Sequence, residues 1–244
     1  VDKFTQEDLI PNEATVVILT HDGYIKRLPP DTFKLQGRGG KGVIGLSAKE
    51  EDAVENLFTT NTHADLLFFT TRGRVFQLKA YEVPVASRTS KGQAVVNFLQ
   101  LAPEEKVSEV MSLESGGDYK FLIMVTRHGV IKKVDINAFS NVRRSGLIAI
   151  NLKDGDSLLW VKMSTGTDDV MLVTAKGQSI RFKEAKVRPM GRTAAGVRGL
   201  KIKGGDEMAG VDLIAEGRPS VDEQLLVVMG NGYGKRTKLR EYKV

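Results

Sequence analysis

The chain has 244 residues, with 36 Lys and Arg against 30 Asp and Glu, a formal charge of +6, and no cysteine. Without thiols there is no disulfide scaffold, thiolate zinc site, haem-attachment motif or cysteine nucleophile to consider. No run reaches the roughly 18 apolar residues that span a bilayer, and the acidic start from Val1 to Asp8 is unlike a signal peptide, so a soluble cytoplasmic segment of a longer chain is expected.

The first predicted element is a hairpin over Val16 to Arg27, an apolar run, a polar turn at Gly23 and a strand ending in Lys26-Arg27. A glycine-rich loop, Lys34-Leu35-Gln36-Gly37-Arg38-Gly39-Gly40-Lys41-Gly42, leads to a short strand, Val43 to Leu46, and an acidic turn, Glu51-Asp52. The same plan returns in the second repeat. A hairpin over Leu66 to Leu78 turns at Gly73, then come Arg88, Lys91 and Gly92, a strand from Ala94 to Leu99, and Glu104-Glu105. A third hairpin spans Phe121 to Val134 around Gly129, with Arg143, Arg144, Gly146 and Asp154-Gly155-Asp156 following. A fourth, Val170 to Phe182 around Gly177, precedes Arg188, Arg192, Gly196 and Gly205-Asp206-Glu207. Leu225 to Lys235 around Gly232 opens a fifth copy, which stops before its loop.

Repetition at about fifty residues is a propeller-blade period, and each unit offers short strands with no stretch of helical spacing. One such unit cannot bury its apolar face alone, so the fold class expected is all-β, with four-stranded blades packed side by side. The expected organisation is one domain over 1–244, with blades at 12–60, 61–115, 116–165 and 166–216 and a partial blade at 217–244.

Gly37, Gly39 and Gly42 match the dinucleotide fingerprint G-x-G-x-x-G, but a strand follows where that site needs a helix, and no Ser or Thr follows a Gly-Lys pair as a P-loop needs. The repeats give a different reading. Arg88 and Lys91 fall on Arg38 and Lys41, Arg192 falls on Arg38 again, and Arg143 and Arg144 lie within two positions of it. Basic loops in register, with Lys26, Arg27, Lys132, Lys133, Arg181 and Lys183 on the preceding hairpins, read as a track for a polyanion. The bland alternative for any single loop is solvated charge. His21, His63 and His128 show no ligand pattern, so no metal and no cofactor is expected, and Trp160, in an apolar run, reads as core.

Gln36-Gly37-Arg38-Gly39-Gly40-Lys41-Gly42 resembles the glycine-rich box of the DNA gyrase A C-terminal domain. The likeness runs through Asn61-Thr62-His63, Arg72-Gly73-Arg74-Val75, Gly196-Val197-Arg198-Gly199 and Asn231 to Thr237. The resemblance implies a propeller-like β-pinwheel with strands exchanged between blades, which wraps double-stranded DNA on a basic rim and directs negative supercoiling. It also implies no catalysis here, since the family's cleaving tyrosine lies elsewhere. The partners implied are the remainder of gyrase A and, in the holoenzyme, gyrase B, at the bacterial nucleoid. DNA contacts are expected from Lys34, Gln36, Gly37, Arg38, Gly39, Gly40, Lys41, Gly42, Arg88, Lys91, Arg143, Arg144, Arg188 and Arg192 and the six hairpin cations. A topoisomerase IV C-terminal domain and a propeller-like protein-interaction scaffold are the competing readings. Bending some 30 base pairs through half a turn costs on the order of 10 kcal/mol, so many phosphate contacts spread along the arc are required.

Overall fold

The apolar runs that open the first four hairpins each become a central strand of their own antiparallel sheet, whereas the run expected as a strand over Ala94 to Leu99 gives only a strand residue at Ala94 followed by a 3₁₀ turn at Val95–Asn97. The computed structural model describes residues 7–33, 52–113, 118–216 and 223–244. In chain order the strands are β1 (Ala14–Thr20), β2 (Tyr24–Leu28), β3 (Val54–Asn61), β4 (Asp65–Thr70), β5 (Arg74–Lys79), β6 (Gln93–Ala94), β7 (Val107–Ser112), β8 (Phe121–Thr126) and β9 (Val130–Asp135). They continue as β10 (Leu147–Ile148), β11 (Leu158–Ser164), β12 (Asp169–Thr174), β13 (Ser179–Lys183), β14 (Val197–Arg198), β15 (Met208–Ile214), β16 (Gln224–Val228) and β17 (Gly234–Lys238). The helices among the described residues are short 3₁₀ pieces such as Ala80–Glu82, as the absence of a 3.6-residue period predicts.

The chain divides into two units, residues 1–117 with 141–149, and residues 118–140 with 150–244. Among the described residues the first holds two sheets, ordered β3-β1-β2-β6 and β10-β5-β4-β7. Its core joins Val17, Leu19, Ile25, Leu66, Phe68, Phe76 and Val110. The second holds β11-β8-β9-β14, β13-β12-β15 and the hairpin β16-β17. Its core joins Ile123, Val125, Ile131, Val170 and Leu172, with Trp160 packed against it. β4 and β8 are buried along both faces after their first residue, which is why their sequences run apolar instead of alternating.

A repeated polar device closes each of the first four hairpins. Thr20, Thr70, Thr126 and Thr174 end the central strands, all of them at most 2% exposed. Their backbone carbonyls accept the N–H of Gly23, Gly73, Gly129 and Gly177 at 2.9–3.0 Å. Their hydroxyls accept the N–H of Tyr24, Arg74, Val130 and Gln178 at 3.0–3.2 Å. The acidic turns of the sequence brace these hairpins. Asp52, Asp156 and Asp206 accept the turn N–H groups of Asp22, His128 and Lys176 at 3.0–3.1 Å. In the second repeat Glu105 takes the Thr70 hydroxyl at 2.6 Å and the Arg74 guanidinium at 3.0 Å. Burial alone would raise the Glu105 carboxyl, but Arg74, Thr70 and the Ala102 N–H outweigh it and hold it below the usual carboxylate range.

Candidate nucleic-acid interface

Two-residue strands carry each repeat into the sheet before it. β6, from the second repeat, pairs with β2 through Tyr24↔Ala94 and Ile25↔Gln93. β10, from the third, pairs with β5, and β14, from the fourth, pairs with β9. The second glycine of repeats two, three and four marks this crossing. Gly92 and Gly196 have φ of +88° and +86°, and a Cβ would stand 2.5 Å from the Ile25 carbonyl oxygen and 2.7 Å from that of Ile131. Both the conformation and the close approach exclude a side chain. The basic loops lie immediately before these glycines, so in three sheets they occupy the same edge, beside the second strand of the hairpin.

Parallel bridges tie the loops down, Arg27↔Val85 in the first unit and Lys133↔Pro189 in the second. On the first loop Arg88 is half-buried, and Lys91, also half-buried, places its ammonium 3.7 Å from the centre of the Tyr24 ring. On the next, Arg143 and Arg144 are exposed, and Arg144 pairs with Glu82. In the second unit Arg188 is exposed and Arg192 half-buried. Exposed Arg198, Lys201 and Lys203, absent from the sequence-based set, follow that loop. Lys34, Gln36, Gly37, Arg38, Gly39, Gly40, Lys41 and Gly42 lie outside the described residues.

The hairpin cations are placed otherwise than the sequence suggests. Lys26, Lys132 and Lys133 are 1%, 0% and 4% exposed. Lys26 donates to the carbonyls of Ser87, Arg88 and Ser90, and Lys132 to that of Arg192. Lys133 pairs with buried Glu184 at 2.8 Å and sits 4.3 Å from the Phe121 ring centre. Arg27 donates to the Val83 carbonyl at 2.8 Å. Arg181 grips Asp169 through two bonds of 2.7 and 2.9 Å, and Lys183 reaches Asp169 at 3.0 Å and Glu216 at 3.5 Å. For the cations of β2 and β9 the physical reason is the strand exchange: β6 and β14 from the next repeat cover those edges, and the cations there are turned to protein oxygens, whereas Arg181 and Lys183 on β13 are drawn to the Asp169 carboxylate of the neighbouring strand. Burial lowers the Lys26 ammonium; burial first, and then the nearby Arg192 charge, lowers Lys132 to about 8. Burial would raise Asp169, but hydrogen bonds from Lys183 and Arg181 outweigh it and hold the carboxyl below its ordinary value.

A family profile described as "DNA gyrase C-terminal domain, beta-propeller" matches residues 14–61, 64–114, 120–164, 168–215 and 225–244. The chain belongs to this family. The DNA gyrase A protein of Staphylococcus epidermidis strain ATCC 12228 is 43% identical over 247 residues, covering 100% of this chain and 27% of that protein. The DNA gyrase A protein of Staphylococcus aureus strain NCTC 8325 is 45% identical over 239 residues, covering 98% of this chain and 27% of its own length. The chain thus spans about a quarter of these relatives. Among solved structures, a DNA topoisomerase IV C-terminal domain aligns with TM-score 0.75 at 28% identity, covering 96% of this chain and 70% of that one. A DNA gyrase A C-terminal domain aligns with TM-score 0.72 at 29% identity, covering 94% and 73%. The gyrase A C-terminal family's all-β, propeller-like blade architecture is therefore the fold of this chain, and the exchanged strands β6, β10 and β14 bear out that expectation of the resemblance.

Proposed function

We propose that this chain binds double-stranded DNA through the loops carrying Arg88 and Lys91, Arg143 and Arg144, and Arg188 and Arg192, and bends the duplex without reading its sequence. The observation that carries the reading is the return of a basic loop at the same sheet edge, just before an exchanged strand, in three successive repeats. Positive charge kept in one loop of the repeat while acidic residues are consumed in bracing hairpins supports an electrostatic face over general solvation. Membership of the gyrase A C-terminal family supports the same reading, and Gln36 to Gly42 would add to the contacts. Phosphate contacts position a duplex and carry no base information, so the binding is blind to sequence.

On this reading the chain contributes no catalytic group and no cofactor. It serves the negative supercoiling of gyrase beside the remainder of gyrase A and gyrase B, in the bacterial cytoplasm at the nucleoid. The topoisomerase IV alternative is favoured by the fold alignment at TM-score 0.75, and the gyrase reading by 43% and 45% identity to the two staphylococcal gyrase A proteins. The test is twofold. Log K against log salt is expected to fall with a slope of about −3 or steeper. Relaxed plasmid closed by a topoisomerase I in the presence of the protein is expected to change linking number; an unchanged linking number with a shallow salt slope would reject wrapping in favour of a protein-interaction scaffold.

A further inference from the structure

Lys26 and Lys132 stand at the same place in their repeats, three residues after the turn glycines Gly23 and Gly129. Both are buried, and each ends on the loop of the following repeat. Lys26 Nζ donates at 3.2, 2.7 and 2.8 Å to the carbonyls of Ser87, Arg88 and Ser90, using all three donors of an ammonium. The Ser90 N–H and hydroxyl close on the Ser87 carbonyl at 3.2 and 2.9 Å, so the loop folds around the ammonium as a turn. Lys132 Nζ donates to the carbonyl of Arg192. Arg88 and Arg192 are equivalent residues of their repeats, so in both units the buried cation holds the main chain of the corresponding arginine.

Repeat two supplies an internal control. Its residue at the same place is Phe76, whose ring lies where a Cβ on Gly146 would come within 2.7 Å. A hydrophobic residue therefore satisfies the fold at this position, and an ammonium there bears the cost of leaving water. What the lysines add over Phe76 is a set of hydrogen bonds to one loop, which fix the arginine that the loop carries.

We infer that Lys26 and Lys132 are positioning residues for DNA, each anchoring the main chain of a phosphate-contacting arginine in the next repeat without touching the duplex itself. This rests on the reading of the chain as a DNA-binding module.

The experiment uses the intact protein with Lys26→Phe and Lys132→Phe, which borrow the residue of repeat two, and Lys26→Met and Lys132→Met should either Phe variant fold poorly. Duplex binding is titrated at several salt concentrations, bending is read by fluorescence transfer between duplex ends, and hydrogen exchange is followed at residues 87–92. Affinity is expected to fall about threefold to tenfold and bending to decrease, with the salt slope unchanged, whereas Arg88→Ala and Arg192→Ala each flatten the slope by about one. Amides of 87–92 are expected to exchange faster in the Lys26 variants, with or without DNA. Wild-type affinity and bending in folded variants would overturn the inference, as would a slope lower by about one per lysine, since the ammonium would then be a phosphate contact. A wild-type protein that leaves the duplex unbound rejects the functional reading instead, and with it the role in DNA positioning, while the exchange data report separately on whether Lys26 orders the loop.

Discussion

The crossing from the second repeat into the first sheet and the crossing from the third into the second solve one geometric problem with different chemistry. At the first, Gly92 lies against the Ile25 carbonyl and Lys26 clasps the loop from beneath. At the second, Gly146 lies against the Phe76 ring, and Gln77 meets the Val142 N–H at a long 3.4 Å. The glycine is common to both and the polar clasp is not. Backbone crossing is thus what the fold demands, while the grip on the loop is adjustable, and it is tightest where the basic residues are half-buried instead of exposed.

A methyl group placed at each crossing separates the two most strongly. Gly92→Ala is expected to cost about 3–5 kcal/mol, combining a left-handed conformation with a clash against main chain that cannot move aside. Gly146→Ala should cost less, because a ring can shift; urea unfolding of the two variants orders them. Next in size is the buried ion pair of Lys133 and Glu184, which belongs to the crossing of the fourth repeat into the third. Lys133→Met leaves a carboxylate buried and should cost about 3–5 kcal/mol, whereas adding Glu184→Met should recover much of it in a double-mutant cycle.

Lys132 gives a pH signature that a phenylalanine crossing has none of. Its folded value of about 8 lies below the ordinary 10.5, so between these pH values the unfolded chain holds a proton that the folded chain has released. Stability from this group therefore rises with pH across that window, by at most about 1.4 kcal/mol per unit. Chemical denaturation at about pH 8, 9 and 10 should show wild type gaining on Lys132→Met. The smallest effect is expected at Arg144, whose pair with Glu82 is exposed on the arginine side. Arg144→Ala should change stability by less than about 1 kcal/mol yet weaken duplex binding, which thermal melts and a titration separate.

The repeat, its hairpins and the second glycine are all legible in the sequence, because turn glycines and apolar runs follow directly from backbone sterics and burial. The acidic turns are visible too, but their work is not: Asp156 at 2.7 Å from the Thr126 hydroxyl is a long-range contact that no local pattern announces. Register alone brings out Arg88 and Arg192. Lys26, Arg27, Lys132 and Lys133 read as solvent-facing because alternation within a strand says nothing of what a later repeat lays over it; Arg181 is held by Asp169 and the Leu239 carbonyl, and Lys183 stays partly exposed beside Asp169 and Glu216. The hairpin that sets Asp169 opposite Lys183, with Arg181 two residues along the same strand, holds a signal that redirects that reading for these two cations, since they are opposite charges to Asp169 on a neighbouring strand.

Because β6, β10 and β14 each complete a sheet begun earlier in the chain, the molecule has an order of manufacture built into it. As the polypeptide leaves the ribosome, the first sheet must wait with β2 uncovered until Ala94 emerges, and β9 waits in turn for Arg198. Each newborn sheet is finished by its successor, so a ribosome pause within a repeat would leave its predecessor open to a wrong strand.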